Sequence, residues 1–347
     1  MNPLFGDSEF LGPPNTPRIA VSASGFQPQR RMMVFAGRSN PDLANKIVES
    51  LGIALGNCTL KTFADGEIYA RLDESVRGAD VFLIQSCAQN VNDYLFELML
   101  LVNAARLASA KRVTAVMPWY PYARQDKKSA PREPITARLV ADMLEAAGID
   151  RVLTMDLHAG QIQGFFRSPV DHMTALPMFA QHFRDMGLDT RDLVVVSPDA
   201  GRAKLAGKFA EMLGAELVVL NKVRPSHNAA KVTSIIGDVQ GKTCIISDDM
   251  IDTAGTLVAG AQAISDAGAK RVFACATHPL FSPPALDRIA DSVLEQVVVC
   301  DTIPVNPVTK PANVQVLSVA RILAETIHNV FTDDSVSAIF KGENQLF

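Results

Sequence analysis

Residues 244–256 read CIISDDMIDTAGT, and this stretch decides the fold. Apolar residues lead into two adjacent carboxylates, Asp248 and Asp249. Asp252 and the turn Thr253-Ala254-Gly255-Thr256 follow, and an amphipathic run begins there. A strand that hands over to a helix through a short polar turn is one βα unit of a parallel sheet. Amide groups at a helix start point outward and carry partial positive charge, so they hold a phosphate without any lysine. Thr253 and Thr256 add hydroxyl donors, and Gly255 lets the backbone come close. Asp248 and Asp249 then face sugar hydroxyls or a divalent cation. The plainer alternative is a capped loop with surplus acids.

Outward from this unit the same alternation continues. Strand-like runs recur at Arg112 to Met117, Arg151 to Leu157, Leu193 to Ser197, Glu216 to Leu220, Arg271 to Thr277 and Gln296 to Cys300. Amphipathic segments separate them, among them Asp93 to Ala108, Thr136 to Ala147, Arg202 to Leu213 and Pro284 to Ser292, with Gly148, Gly214 and Gly268 as stop signals. The class is α/β, with mostly parallel sheets flanked by helices. Ligands of open parallel sheets bind beyond the carboxyl ends of strands. Four such ends carry polar groups: Asp156 and His158, Ser197 to Gly201, Asp248 to Thr256, and Thr277 with His278. They are expected along one sheet edge.

The chain has 347 residues, 48% hydrophobic and 20% charged, a size that predicts two domains. Pro169 and Pro177 place the boundary near 170–178, dividing the chain into 31–176 and 177–317, with a closing helix and tail at 318–347 that joins the first domain. Residues 1–30 are Pro-, Gly- and Ser-rich and read as a flexible extension. Thirty-three basic against 37 acidic residues give a net charge of -4, which argues against nucleic acid or an anionic membrane as partner. The N-terminus lacks a secretory layout, and five scattered cysteines read as reduced thiols of a cytoplasmic protein.

Three further segments matter. Thr62 to Gly78 is TFADGEIYARLDESVRG; its Phe63 offers a stacking ring and Asp65 and Glu67 offer acceptors, although Asp65-Gly66 is equally a hairpin turn. Pro121 to Leu144 begins PYARQDKKSAPREP, and Arg124, Lys127, Lys128 and Arg132 suit a triphosphate or a solvated loop about equally. Met155 to Phe166 is MDLHAGQIQGFF, with a single His158. No Gly-x-x-x-x-Gly-Lys-Ser/Thr loop is present.

The 244–256 stretch resembles the fingerprint shared by phosphoribosyltransferases and ribose-phosphate pyrophosphokinases, and the three further segments resemble the pyrophosphokinases. The resemblance covers about residues 32–340. It implies two similar phosphoribosyltransferase-like domains, an ATP side and a ribose 5-phosphate side, and transfer of the β,γ-diphosphate of ATP to the C1 hydroxyl of the sugar. It assigns ATP to Phe63, Asp65, Glu67, Arg124, Gln125, Asp126 and His158, and ribose 5-phosphate to Asp248, Asp249, Asp252, Thr253, Ala254, Gly255 and Thr256. It also implies Mg²⁺ on His158 and Asp199, and catalytic roles for His158 and for the cations Lys222 and Arg224 of a mobile loop matching Val219 to Pro225, in which Arg224 to Lys231 is polar and unpatterned. A dimer-based oligomer, hexameric by analogy, would let Phe63, Asp65 and Glu67 serve a neighbouring subunit. Ser75, Arg77, Ser335 and Ser337 match the phosphate and ADP site of the phosphate-activated class.

Some positions depart from the pattern. Arg202 stands where the diphosphate loop has its second glycine, Val223 where a charged residue is usual, and Ser282-Pro283-Pro284 replaces a Ser-Gly-Pro turn. A phosphoribosyltransferase would not need the segments at 63–67 and 124–126. A non-catalytic, synthetase-associated homologue would be expected to lack the lid cations or strand-end acids.

Overall fold

Asn40 sets the first helix: its side chain accepts from the Leu43 amide at 3.3 Å, Pro41 fills the first turn, and Gly52 closes the helix in the left-handed region. This helix, α1 (Pro41–Leu51), follows β1 (Met32–Ala36). The chain is seen as a computed structural model that describes residues 30–226 and 229–340, without side chains at 222–233, 338 and 340. The extension expected over 1–30 thus lies outside the described residues for 1–29.

After α1 come β2 (Cys58–Thr62) and β3 (Ile68–Leu72), an antiparallel hairpin in a sheet of its own. Next are β4 (Asp80–Ile84), α2 (Val91–Leu107), β5 (Arg112–Met117), α3 (Thr136–Ala147), β6 (Arg151–Met155) and β7 (Val170–Met173). Strands β1-β4-β5-β6-β7 form a parallel sheet in that order. Then follow α4 (Leu176–Asp185), β8 (Leu193–Ser197), α5 (Ala203–Leu213), β9 (Glu216–Ser226), β10 (Ala229–Ile236) and β11 (Thr243–Ile251). The chain continues with α6 (Gly255–Asp266), β12 (Arg271–Pro279), α7 (Ala285–Ala290), β13 (Gln296–Cys300), β14 (Val314–Leu317) and α8 (Ala320–Thr332). The second sheet runs β10-β9-β8-β11-β12-β13-β14, parallel except where β10 turns back on β9.

Continuous apolar strands are explained by what lies on each face. Phe82 and Ile84 of β4 point into a core shared by both sheets, while Val81 and Leu83 point into one roofed by α2 and α3. Likewise Ile245 faces the shared core, and Cys244 and Ile246 face the core covered by α6 and α7. Helices α1, α4, α5 and α8 supply the shared core, with Leu43, Phe179, Phe209 and Leu323 fully or nearly fully buried. Pro177 does not break the pattern, because it sits in the first turn of α4, where its missing N–H costs nothing.

Two expectations are corrected here. The four polar strand ends do not share one sheet edge: β6 belongs to the first sheet, while β8, β11 and β12 belong to the second. The segment expected as a mobile loop, Val219 to Pro225 and on to Lys231, instead continues as β9 through Ser226 and returns as β10, with register shifts between Ala229 and Lys231 and between Val232 and Ser234. Residues 227–228 lie outside the described residues.

Candidate active site

The carboxyl ends of the two sheets meet through buried polar groups. Asp156, after β6, accepts from the Thr277 hydroxyl at 2.6 Å and from the Ala175 amide at 2.8 Å. His278 reaches the carbonyls of Met155 and Asp156 at 3.1 and 3.2 Å. His172 accepts the Leu157 amide at 2.8 Å, which fixes the turn that presents His158. None of these pairings leaves a local signal in sequence, because each joins distant segments.

Above this joint lies an ionic cluster. Strand β11 stays paired with β12 as far as Ile251, but its pairing with β8 ends at Ile246. Asp248 and Asp249 therefore occupy the strand where it outruns β8. Arg202 Nη2 lies 2.7 Å from Asp249 Oδ2 and 2.6 Å from His158 Nδ1, and Arg202 Nε lies 3.9 Å from Asp248 Oδ1. His158 Nδ1 is also 2.8 Å from Asp249 Oδ2. A ring nitrogen donates or accepts but does not do both, so Nδ1 bonds either the carboxylate or the guanidinium at one time. Burial works to raise the Asp249 carboxyl, yet the His158 hydrogen bond and the Arg202 charge outweigh it and hold it well below the usual carboxylate range. Burial, with the Asp249 charge beside it, pushes Asp248 well above that range.

The turn that follows is open to a ligand. Thr253 and Thr256 are exposed, and no side chain caps the start of α6, so its first amides keep their donors. The left-handed residue is Ala254, at φ 58°, rather than Gly255. Gly255 instead makes room for Arg288, whose guanidinium would meet an added Cβ at 3.2 Å while it bonds the Thr253 carbonyl at 2.8 Å. Asp252 accepts from Arg124 Nη1 at 2.6 Å. Burial of Asp252 is outweighed by hydrogen bonds from Ser282 and Arg124, and its carboxyl sits below its ordinary value.

Gln125 accepts from the Thr136 hydroxyl at 2.6 Å and its carbonyl accepts the Ala137 amide, so it holds the start of α3. Asp126 accepts from Gln161. Beside Arg124 and Gln125 opens a cavity of about 550 Å³ that also reaches Trp119, Tyr122 and Leu280. Phe63, Asp65 and Glu67 form the exposed tip of the β2–β3 hairpin, with Phe63 52% exposed and Gly66 at φ 95° in the turn. The hairpin turn at Asp65-Gly66 therefore forms, with these three side chains open to solvent. Asp199 is exposed and its Oδ1 accepts the Arg202 amide at 3.1 Å. Lys222 and Arg224 lie on β9, and their side chains are outside the described residues. Ser75 and Arg77 precede β4, at the amino edge of the first sheet. Ser335 and Ser337 follow Asp333, which Arg112 ties to that edge at 2.9 Å. Among the described residues no group of three or more His, Cys, Asp or Glu side chains forms a metal cage, and no helix is long and apolar enough to cross a membrane.

Known proteins share this architecture. The sequence model for the N-terminal domain of ribose phosphate pyrophosphokinase matches residues 32–148, and that for the phosphoribosyl synthetase-associated domain matches residues 218–341. A ribose-phosphate pyrophosphokinase of Fusobacterium nucleatum is 48% identical over 88% of this chain and 97% of its own length. One from a Nostoc species is 47% identical over 93% of this chain and 98% of its own. The crystal structure of phosphoribosylpyrophosphate synthetase from Mycobacterium smegmatis is 45% identical, superposes with a TM-score of 0.83, and is matched over 88% of this chain and all of that one.

Proposed function

The chain belongs to the ribose-phosphate pyrophosphokinase family, and from that premise we propose how its own residues carry out the diphosphate transfer. The enzyme moves the β,γ-diphosphate of ATP to ribose 5-phosphate. The C1 hydroxyl oxygen forms a bond to the β-phosphorus, the bond from that phosphorus to the α-phosphate oxygen breaks, AMP leaves, and the hydroxyl proton is released to solvent. Such chemistry asks the protein mainly for positioning and charge neutralisation. The observation that carries the reading is the uncapped start of α6 directly beyond the Asp248–Asp249 pair. There the amides of 255–257 and the hydroxyls of Thr253 and Thr256 would hold the 5-phosphate. Asp248 and Asp249 would accept from the ring hydroxyls, and Ala254 sets the turn.

On the nucleotide side we assign Arg124, Gln125, Asp126 and His158 to ATP, with Lys222 and Arg224 neutralising the transferring group. His158 and Asp199 fit Mg²⁺ in one respect: they offer an imidazole and an exposed carboxylate without a protein-built cage, as suits an ion that keeps waters and phosphate oxygens. Bound there, Mg²⁺ would withdraw charge from the triphosphate. The solvent-exposed Phe63 ring supports a role for Phe63, Asp65 and Glu67 in the adenine pocket of a neighbouring subunit. That reading requires a dimer-based oligomer, by family analogy a hexamer. Ser75, Arg77, Ser335 and Ser337 are proposed to bind phosphate or ADP as effectors, in the manner of the phosphate-activated class. Residues 31–176 and 177–317 are read as the ATP and ribose 5-phosphate domains, acting in the cytoplasm.

The test is AMP release from ATP at varied phosphate and ADP. Release that requires ribose 5-phosphate and falls with Asp249→Asn fits the assignment. Release independent of the sugar phosphate would sink it, and an active monomer by light scattering would sink the shared adenine pocket.

A further inference from the structure

Two neighbouring carboxylates on one strand, one of them 2% exposed, need positive charge nearby or they must take up protons. In this chain the charge is covalently built in. The turn after β8, closed by Asp199 Oδ1 on the Arg202 amide, starts α5, and the Arg202 side chain reaches Asp249 on β11. That side chain is 14% exposed, and it meets Asp249, His158 and Asp248 together. Arginine keeps its charge at any pH the fold survives, and its planar fork suits carboxylates. A glycine there, as expected from the diphosphate-loop pattern, would leave the pair to a metal ion or a proton.

We propose that Arg202 is a positioning residue that replaces a divalent cation at the Asp248–Asp249 pair, so that ribose 5-phosphate binds without Mg²⁺. Ribose 5-phosphate as the occupant is taken from the function proposed above. Arg202 and His158 both address Oδ2 of Asp249, and Asp248 Oδ1 accepts the Asp249 amide at 2.9 Å. Ionised Asp249 offers about four acceptor positions and Asp248 keeps acceptor capacity whether or not it is protonated, so sugar hydroxyls find places on both acids while the guanidinium stays. Mg²⁺ demand is then confined to the nucleotide.

Calorimetric titration of the full-length protein with ribose 5-phosphate, in EDTA and in excess MgCl₂ without nucleotide, tests this. The wild type should bind with a Kd that changes by no more than about twofold between the two conditions. Arg202→Met keeps the aliphatic stem and loses the charge. It should bind about tenfold more weakly in EDTA and regain most of that affinity with Mg²⁺. Arg202→Lys should stay insensitive to metal. A wild type that binds only with Mg²⁺ overturns the role of Arg202 while leaving the sugar site standing, and this arm needs no variant to fold. A Met variant that binds as well as or better than wild type in EDTA also overturns it, and would mean that Arg202 blocks the site. No binding under any condition overturns the sugar site itself.

Discussion

Arg124 Nη1 lies 2.6 Å from Asp252 Oδ2, and this pair ties the loop after β5 in the first sheet to the turn after β11 in the second. The cation assigned to ATP and an acid assigned to the sugar phosphate are therefore already neighbours. The Arg124 side chain is 54% exposed, so the pair itself is worth no more than about 1 kcal/mol to the fold. Arg124→Ala should melt within a few degrees of wild type and lose about 100-fold in kcat/KM, because what it removes is charge at the phosphates. Arg124→Lys should recover only part of this, since a lysine cannot make the forked contact. Steady-state AMP release alongside thermal melts decides it, and a near-normal kcat/KM for the alanine variant would remove Arg124 from the site.

A different ion pair should behave in the opposite way. Arg112 makes two parallel bonds of 2.9 Å to Asp80, whose side chain is 2% exposed, and one of 2.9 Å to the exposed Asp333. Arg112→Met removes both forked bonds from a buried carboxylate and should cost about 2 kcal/mol, whereas Asp333→Asn should cost less than about 1 kcal/mol. Urea denaturation midpoints measure both. Similar costs for the two variants would contradict the buried-charge explanation.

Most of the architecture was legible because the signals are local. Strands β5, β8, β11, β12 and β13 alternate between two apolar faces, and Gly148 and Gly214 close their helices as left-handed caps. The turn at 252–256 was legible for the same reason, since strand, acids, hydroxyls and helix are contiguous. What could not be read is what distance in sequence conceals. Asp156 with Thr277, His158 with Asp249, and Arg124 with Asp252 are each separated by more than 90 residues. The division of strand ends between two sheets was missed for that reason, since periodicity assigns a strand but not its neighbours. Arg202 stood out as a departure from a pattern, but nothing in its own segment tells that its side chain turns toward β11.

The turn at Ala254 carries its own prediction. At φ 58° an L-residue pays roughly 1 kcal/mol, and glycine would relieve this but lose about as much through greater freedom in the unfolded chain. Ala254→Gly should therefore change stability by less than about 0.5 kcal/mol. Ala254→Val places a β-branched residue in the left-handed region at a buried position and should cost on the order of 2 kcal/mol. The valine variant should also weaken ribose 5-phosphate binding, because the amides of 255–257 shift with the turn. Thermal melts and calorimetry test both, and a valine variant as stable as wild type would show that the turn is not constrained.

His172 gives the pH dependence. Its Nε2 must stay unprotonated to accept the Leu157 amide, and burial pushes its pKa down to about 4 from an ordinary 6.5. The facing Asp156 carboxylate opposes that shift, and His278 adds to it. A folded pKa below the unfolded one means that protonation favours the unfolded chain. Nothing is lost above pH 6.5. As pH falls from there toward 4, the unfolded state takes up a proton that the folded state refuses. At pH 5 this amounts to about 2 kcal/mol. His172→Gln keeps an acceptor but does not titrate, so between pH 7.5 and 5 it should lose about 2 kcal/mol less than wild type in urea denaturation. Asp156 and His278 interact with His172, so the difference between the two proteins reads the coupled group of three, while groups away from it cancel. The same turn presents His158, so wild-type ligand binding should weaken over the same window and the variant's should hold. Parallel pH curves for the two proteins would mean that His172 accepts its proton in the folded state after all.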